Sequence, residues 1–157
     1  WEDYDNDGDV DLYIANDFGP NQLFRSEGEY FVDESSESGS QDWGFGMSAT
    51  WADYDRDGFM DLYVSSMFSG AGNQVVAQSD FNANMPEETR SRYLKMVRGN
   101  TLLKNSGQGQ FEDLTSPMAE GFGGWAWGAK FADFNNDGWE DLYVANGYIS
   151  QPDTDDL

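Results

Sequence analysis

Short runs rich in β-branched and aromatic residues recur along the chain, and each is bounded by polar segments that contain glycine. Such runs predict β-strands rather than helices. They follow a repeating order of four strands, which we name a to d. Strand a is predicted at 47–54 and 127–134, strand b at 11–15, 61–66 and 141–145, strand c at 22–25 and 101–104, and strand d at 30–34 and 110–114. Hairpin turns are predicted between c and d, at 26–29 and 105–109.

This unit repeats along the chain. An acidic loop between strands a and b starts at Asp3, at Asp53 and again at Asp133. The second spacing is longer because residues 70–98 form an insertion and the hairpin near Gly107 has one extra residue. Four-stranded antiparallel units repeating at about 50 residues are typical of β-propeller blades, of which a closed ring needs at least four.

We therefore predict an all-β fold, a partial β-propeller of four-stranded antiparallel blades with one short helical insertion. The chain holds about two and a half blades, so it is not expected to close a ring by itself. The prediction treats 1–157 as a single domain, with blade 1 at about 1–35, blade 2 at about 44–115 including the insertion 70–98, and an incomplete blade 3 at about 124–157.

Each acidic loop has an oxygen-bearing side chain at loop positions 1, 3, 5 and 9 and glycine at position 6. That spacing suits Ca²⁺, a hard cation that takes six to eight oxygen ligands, and a divalent ion relieves the repulsion between crowded carboxylates. We predict three calcium sites, the third weakest because Asn135 is a neutral ligand. The side-chain ligands are Asp3, Asp5, Asp7 and Asp11; Asp53, Asp55, Asp57 and Asp61; and Asp133, Asn135, Asp137 and Asp141. The position-7 carbonyls of Asp9, Phe59 and Trp139 complete the sets.

Other interpretations of these loops fit less well. A plain turn between strands explains one Asp- and Gly-rich loop but not three in the same register. An EF-hand requires glutamate at position 12, where this chain has Ile14, Val64 and Val144. Tandem glycine-rich nonapeptides are absent, and a chain without cysteine or histidine lacks the usual zinc ligands.

The insertion is predicted to contain one helix. Asn84 is a candidate N-cap with Glu87 three residues later, Pro86 is tolerated in a first turn, and Gly99 follows the helix. Its expected buried stripe is Tyr93, Met96 and Val97. In an up-and-down blade the a–b and b–c connections lie at opposite ends, so we expect the insertion on the face opposite the calcium loops.

Half of the eight basic residues of the chain lie in this helix: Arg90, Arg92, Lys95 and Arg98. They could form a contact patch for an acidic or sulfated partner. They could instead pair with the abundant carboxylates of the same chain and complement the helix dipole, which is the favoured interpretation. Both interpretations stay open at this point.

Composition limits the functions that remain. The formal net charge of −22 makes nucleic acid an unsuitable partner, because phosphate binding needs a basic surface. The sequence contains no run of 18 apolar residues, so it predicts no membrane-spanning segment. Without cysteine or histidine, thiol catalysis and histidine-dependent triads are excluded.

The loops, with Gly44-Phe45-Gly46 ahead of the second and an Asn-x-Leu-Phe-Arg segment after the first, resemble FG-GAP/VCBS repeats, the calcium-binding blades of integrin α-chains and many secreted bacterial proteins. Residues 123–128, 98–100 and 145–148 resemble the cartilage-acidic-protein-like group of such repeats. The resemblance implies a non-catalytic extracellular or cell-surface module for adhesion, with a protein or glycan ligand on the face opposite calcium; a periplasmic location is also open.

Two alternatives remain. The open blades could self-associate, which would make the segment a building block of a filament or larger assembly. Some propellers are polysaccharide-active enzymes, but the candidate acids here, Glu34 and Glu120, are single and unsupported.

Overall fold

The computed structural model describes residues 1–115 and 124–146. These residues form three antiparallel sheets and two helices. The first sheet has strands β1 (Leu12–Ile14), β2 (Gln22–Ser26) and β3 (Phe31–Asp33), and the second has β4 (Gly46–Ala52), β5 (Asp61–Ser66), β6 (Thr101–Asn105) and β7 (Phe111–Asp113). Helices α1 (Gly70–Val76) and α2 (Glu87–Val97) lie between β5 and β6, and the third sheet pairs β8 (Ala126–Ala132) with β9 (Asp141–Asn146).

Strand order confirms the predicted blade architecture. The second sheet runs β4-β5-β6-β7, which is the predicted order a to d. The first sheet holds strands b, c and d, and the third holds a and b. Strands β4 and β8 even share an irregularity near their first residues, between Gly46 and Ser48 and between Ala126 and Gly128. The fold is a partial β-propeller; the predicted end of blade 3, beyond residue 146, lies outside the described residues.

The sheets pack against one another through apolar clusters. The first cluster joins the first and second sheets through Tyr4, Tyr13, Leu23, Leu62, Val64, Leu103 and Phe111. The second joins the second and third sheets through Ala52, Tyr63 and Phe131. The same aromatic contact occurs at both joints: Tyr13 lies edge-on to Trp51 at 6.2 Å between centroids, and Tyr63 lies edge-on to Phe131 at 6.4 Å.

The helix predicted in the insertion is present as α2, and the insertion also holds a second helix, α1, that was not predicted. Helix α1 starts after Ser69, whose hydroxyl accepts a hydrogen bond from the N–H of Gly72 at 2.9 Å. A helix of seven residues with two glycines has too little intrinsic propensity to be recognised from sequence. It is stabilised instead by tertiary contacts: Asn73 donates a hydrogen bond to the carbonyl of Val97, which ends α2.

The start and the buried face of α2 also differ in part from the prediction. The cap position is occupied by Pro86, with no side-chain cap hydrogen bond, so Asn84 is not the N-cap. Gly99 follows the helix with a φ of 98°, as a residue after a helix end commonly does. Val97 is buried as predicted and Met96 is half-buried, but Tyr93 is exposed, with its ring edge-on to Phe81.

Strand β5 separates the second acidic loop from the helices. The loop precedes Asp61, and α1 begins four residues after Ser66. Six strand residues span about 20 Å. The insertion and the acidic loop therefore lie at opposite ends of the blade, as the strand order predicted.

Candidate metal sites

The three acidic loops share one backbone conformation. Position 4 has a positive φ in each loop, 60° at Asn6, 62° at Arg56 and 60° at Asn136. The glycine at position 6 also has a positive φ, between 84° and 95°. A glycine adopts this region freely, whereas Arg56 does so at a cost. The loops are therefore held in a defined shape, and the sequence prediction had recognised only the glycine.

Backbone N–H groups orient the carboxylates of the first loop. Asp3 accepts hydrogen bonds from the N–H groups of Asp7 at 3.1 Å and Gly8 at 3.0 Å. Carboxylate oxygens of Asp3, Asp5 and Asp11 all lie within 4.8 Å of one another. The Oδ1 atom of Asp5 is buried without a hydrogen-bond partner. A divalent cation would satisfy that oxygen, so this donor set fits Ca²⁺.

The second loop repeats this geometry. Asp53 accepts from the N–H of Gly58 at 3.0 Å, and carboxylate oxygens of Asp53, Asp55 and Asp61 lie within 4.8 Å of one another. Asp61 is fully buried, and its Oδ2 has no hydrogen-bond partner. The Oδ1 of Asp53 is buried and unpartnered as well. A bound cation would satisfy these two unpartnered oxygens, so the second loop also fits a calcium site.

The third loop has the same internal hydrogen bonds. The N–H of Asp137 is donated to Asp133 at 3.1 Å and to Asn135 at 2.8 Å, and the N–H of Gly138 to Asp133 at 2.8 Å. Asp141 accepts from the N–H of Phe134 at 3.1 Å, as Asp11 accepts from Tyr4. Asn135 thus substitutes for an aspartate without altering the loop, and its amide oxygen stays available as a neutral ligand.

Position 5 differs from positions 1, 3 and 9. Asp7, Asp57 and Asp137 each accept a hydrogen bond from the backbone N–H two residues later, at 2.9, 3.0 and 2.8 Å. In the first two loops this side chain is not part of the cluster within 4.8 Å. Its role as a ligand, like that of the carbonyls of Asp9, Phe59 and Trp139, stays a prediction.

Burial raises the pKa of three of the clustered carboxylates, those of Asp5, Asp11 and Asp61. It raises the pKa of Asp5, and the nearby charge of Asp7 adds to the effect. Burial also raises the pKa of Asp11, and it raises that of Asp61 to about 6 against the opposing hydrogen bond from the N–H of Asn105. A bound dication favours the ionised carboxylates and so reverses this electrostatic penalty.

A lysine that the sequence pattern did not predict as part of the site also contacts the second loop. The ammonium of Lys104 pairs with the carboxylate of Asp55 and lies 3.3 Å from Asp57 Oδ2. This contact lowers the pKa of Asp55. Lys104 lies in strand c, far along the chain from the loop, so only the pairing of β6 with β5 brings it there.

The sequence profile described as FG-GAP-like repeat matches residues 3–64 and 92–144 of the chain. The chain belongs to the FG-GAP-like repeat family. The matched segments contain all three acidic loops, and residues between them include α1. The unmatched residues 65–91 also include the start of α2, so they overlap the insertion predicted at 70–98 only in part, and the bounds of that insertion stay a prediction. No curated protein matches this chain.

Three of the four basic residues proposed as a contact patch have partners within the chain. Arg90 donates hydrogen bonds to the carbonyl of Val76, the last residue of α1, and to those of Gln78 and Phe81, which follow it. Arg92 pairs with Glu88 and lies over the ring of Trp43 at 4.5 Å. Arg98 is 2.7 Å from Asp113 and 3.8 Å from Asp42, which is buried. Lys95 is half-buried near the end of α2. A contact role for these four residues stays a prediction.

Candidate residues for other functions have limited support. Glu34 pairs with Arg25 at 3.4 Å, and Glu120 lies outside the described residues. Across residues 1–115 and 124–146, neither helix is long and apolar enough to cross a membrane.

Proposed function

We propose that this FG-GAP-like segment is a non-catalytic, calcium-binding part of a propeller that acts outside the cell. The observation that carries the proposal is the pair of three-carboxylate clusters with buried, unpartnered oxygens at Asp5, Asp53 and Asp61. We include the third loop as a calcium site because its backbone N–H groups form the same hydrogen bonds to Asp133 as those of the first loop form to Asp3. Membership of the narrower cartilage-acidic-protein-like group is part of this proposal.

Calcium would act structurally. In the first and second loops the clustered carboxylates come from both ends of the connection between strands a and b. One bound ion would therefore hold these two strands together. Extracellular modules bind calcium with dissociation constants near 10⁻⁴ M, and at about 10⁻³ M free calcium each site then adds about 1.4 kcal/mol. Cytosolic calcium is far lower, which supports a location outside the cell. The open face at the insertion end of the blade is where we place a protein or glycan ligand for adhesion.

Isothermal titration of the chelated protein with Ca²⁺ tests the proposal. We expect three binding events, with heat that is absent when Mg²⁺ replaces Ca²⁺ at the same concentration, because Mg²⁺ demands tighter octahedral geometry and sheds its waters reluctantly. Fewer than two calcium ions per chain, or a preference for Zn²⁺, would contradict it.

A second candidate function, assembly through open blades, is favoured by the exposed aromatic face of the third sheet. Tyr13 and Tyr63 each meet an aromatic residue of the following sheet. Their equivalent in β9, Tyr143, is 60% exposed and lies edge-on to Phe134, which is also exposed. We propose that this face docks a further blade of the same repeat, with an aromatic residue at the position of Trp51 and Phe131.

Sedimentation velocity over a range of protein concentrations tests this docking. We expect the chain to self-associate and Tyr143→Ser to weaken the association. Tyr30→Ser, which changes an equally exposed tyrosine in the first hairpin, is the matched control and should have no effect. A chain that stays monomeric at every concentration, or an equal loss in both variants, would count against assembly.

A further inference from the structure

The fourth residue of strand c is basic in both the first and the second sheet, but it pairs with different acids in the two sheets. In β2 this residue is Arg25, whose guanidinium lies 2.7 Å from Glu27 and 3.4 Å from Glu34. In β6 it is Lys104, which pairs with Asp55 and Asp57 of the second acidic loop. The two residues are equivalent because Ser26 and Asn105, which follow them, donate the same hydrogen bond to Asp11 and Asp61.

The neighbours of each basic residue explain the difference. Glu27 of the first hairpin corresponds to Ser106 in the second, and Glu34 corresponds to Leu114. Arg25 therefore has two carboxylates of its own hairpin to pair with. Lys104 has no acid at these two positions. Glu112 lies opposite it on β7, but the ammonium of Lys104 pairs with Asp55 and Asp57 of the metal loop.

We propose that Lys104 is a built-in counter-cation of the second loop that competes with calcium, so that the first loop fills with calcium before the second. This inference rests on the proposed calcium-binding function. It also changes the expected order of calcium affinity. The positive charge of Lys104 weakens the second site, and the neutral ligand Asn135 weakens the third.

The contacts of Lys104 show why the competition is incomplete. A lysine ammonium offers three donors, and here it reaches Asp55 and Asp57. The oxygens Asp53 Oδ1 and Asp61 Oδ2 remain without a hydrogen bond. Calcium takes six to eight oxygens and so can use all of these atoms, but it must first separate Asp55 from Lys104 or bind beside a positive charge. Both routes weaken binding at this loop.

Two-dimensional NMR during a calcium titration distinguishes the loops, because the N–H groups of Gly8 and Gly58 report the first and second loop respectively. In the wild-type chain we expect the Gly58 signal to reach half-saturation at higher calcium than the Gly8 signal. In Lys104→Met the Gly58 midpoint should fall roughly tenfold, the size expected for removing one charge beside a dication near the surface. The Gly8 midpoint should not change.

Leu114→Glu is a second variant that leaves Lys104 in place. It gives the second hairpin the carboxylate that Glu34 provides in the first, so it should draw the ammonium away from Asp55 and also lower the Gly58 midpoint. Arg25→Met is the matched control, and the Gly58 midpoint should stay at its wild-type value.

The outcomes separate this inference from the function on which it rests. An unchanged or raised Gly58 midpoint in Lys104→Met, with both loops still responding to calcium, would overturn the competition but leave the calcium function intact. If neither glycine signal responds to calcium in the wild-type chain, the proposed function itself fails and the competition fails with it.

Discussion

The carboxylate of Asp61 accepts a hydrogen bond from the N–H of Asn105 at 2.8 Å, although the two residues are 44 positions apart. Asp11 and Ser26 form the same bond at the same distance in the first sheet. The ninth residue of the acidic loop thus fastens the start of strand b to the end of strand c. A cation bound at this carboxylate would stabilise three strands of the blade, and not only the loop.

Replacing Asp61 should weaken the second calcium site more than replacing Asp57. In Asp61→Asn the amide oxygen can still accept from Asn105, but the charge of a fully buried ligand is lost. We expect at least a tenfold weaker second site by calorimetry. Without calcium the variant should be more stable than wild type, because no buried charge has to be desolvated.

Asp57→Ala is the comparison for that experiment. Asp57 is exposed and lies outside the cluster within 4.8 Å. The calcium-dependent rise in melting temperature should shrink in this variant, but by less than in Asp61→Asn. An undiminished rise would show that Asp57 is not a ligand.

Arg98→Met should destabilise the chain severely. Arg98 is the cation beside Asp42, whose side chain is only 3% exposed and also accepts from the hydroxyl of Thr101 at 3.0 Å. Leaving a buried carboxylate without its cation costs about 3–5 kcal/mol. Urea unfolding measures this loss.

Arg92→Met, in the helix α2 that precedes Arg98, is the matched control. Its pair with Glu88 is solvent-exposed, so we expect a loss below about 1 kcal/mol. Equal losses in the two variants would mean that the contact between Arg98 and Asp42 does not stabilise the fold.

The helical insertion should be removable if Arg98 is retained. The N–H of Ser69 lies 3.4 Å from the carbonyl of Val97, so a short glycine linker can replace residues 70–97. Circular dichroism should then show the strand content unchanged, and calcium binding should persist because the loops lie at the other end of the blade.

Deleting residues 70–98 instead also removes Arg98, and it should lower the melting temperature further than the shorter deletion. If the shorter deletion alone unfolds the chain or abolishes calcium binding, the helices are part of the core and our placement of them is wrong.

Ser35→Ala should change the pH dependence of stability. The hydroxyl and N–H of Ser35 donate to Asp33 and lower its pKa. A lowered pKa stabilises the fold above the unfolded value, about 3.9, and this contribution is lost as the pH falls through the folded value. NMR titration should therefore show a higher pKa for Asp33 in the variant.

The stability difference between Ser35→Ala and wild type should shrink when the pH falls from 7 to 3. It should not vanish, because Ser35 also accepts a hydrogen bond from the buried N–H of Leu23 at 2.9 Å. A difference that is constant over this range would contradict the role of Asp33.

The repeat alone was enough to predict the blades. Three copies of one loop in the same register located strands a and b, and matching segments located strands c and d; the observed strands lie within two residues of the predicted ones. The two helices were harder to predict, because α1 depends on its hydrogen bond to Val97 and α2 begins at Pro86 without a side-chain cap. Local propensity carries little information where tertiary contacts supply the stability.

The sequence by itself determined the residue types and spacing of the acidic loops, and hence the chemistry that each loop offers, because ligand spacing within nine residues is a local property. The tertiary structure decided what surrounds those ligands. Pairing of β5 with β6 brings Lys104 to Asp55, and the return of the chain after α2 brings Arg98 to Asp42. Such contacts join residues that are far apart in the sequence. Strand pairing and register decide which carboxylate lies beside each basic side chain, and local sequence does not contain that information.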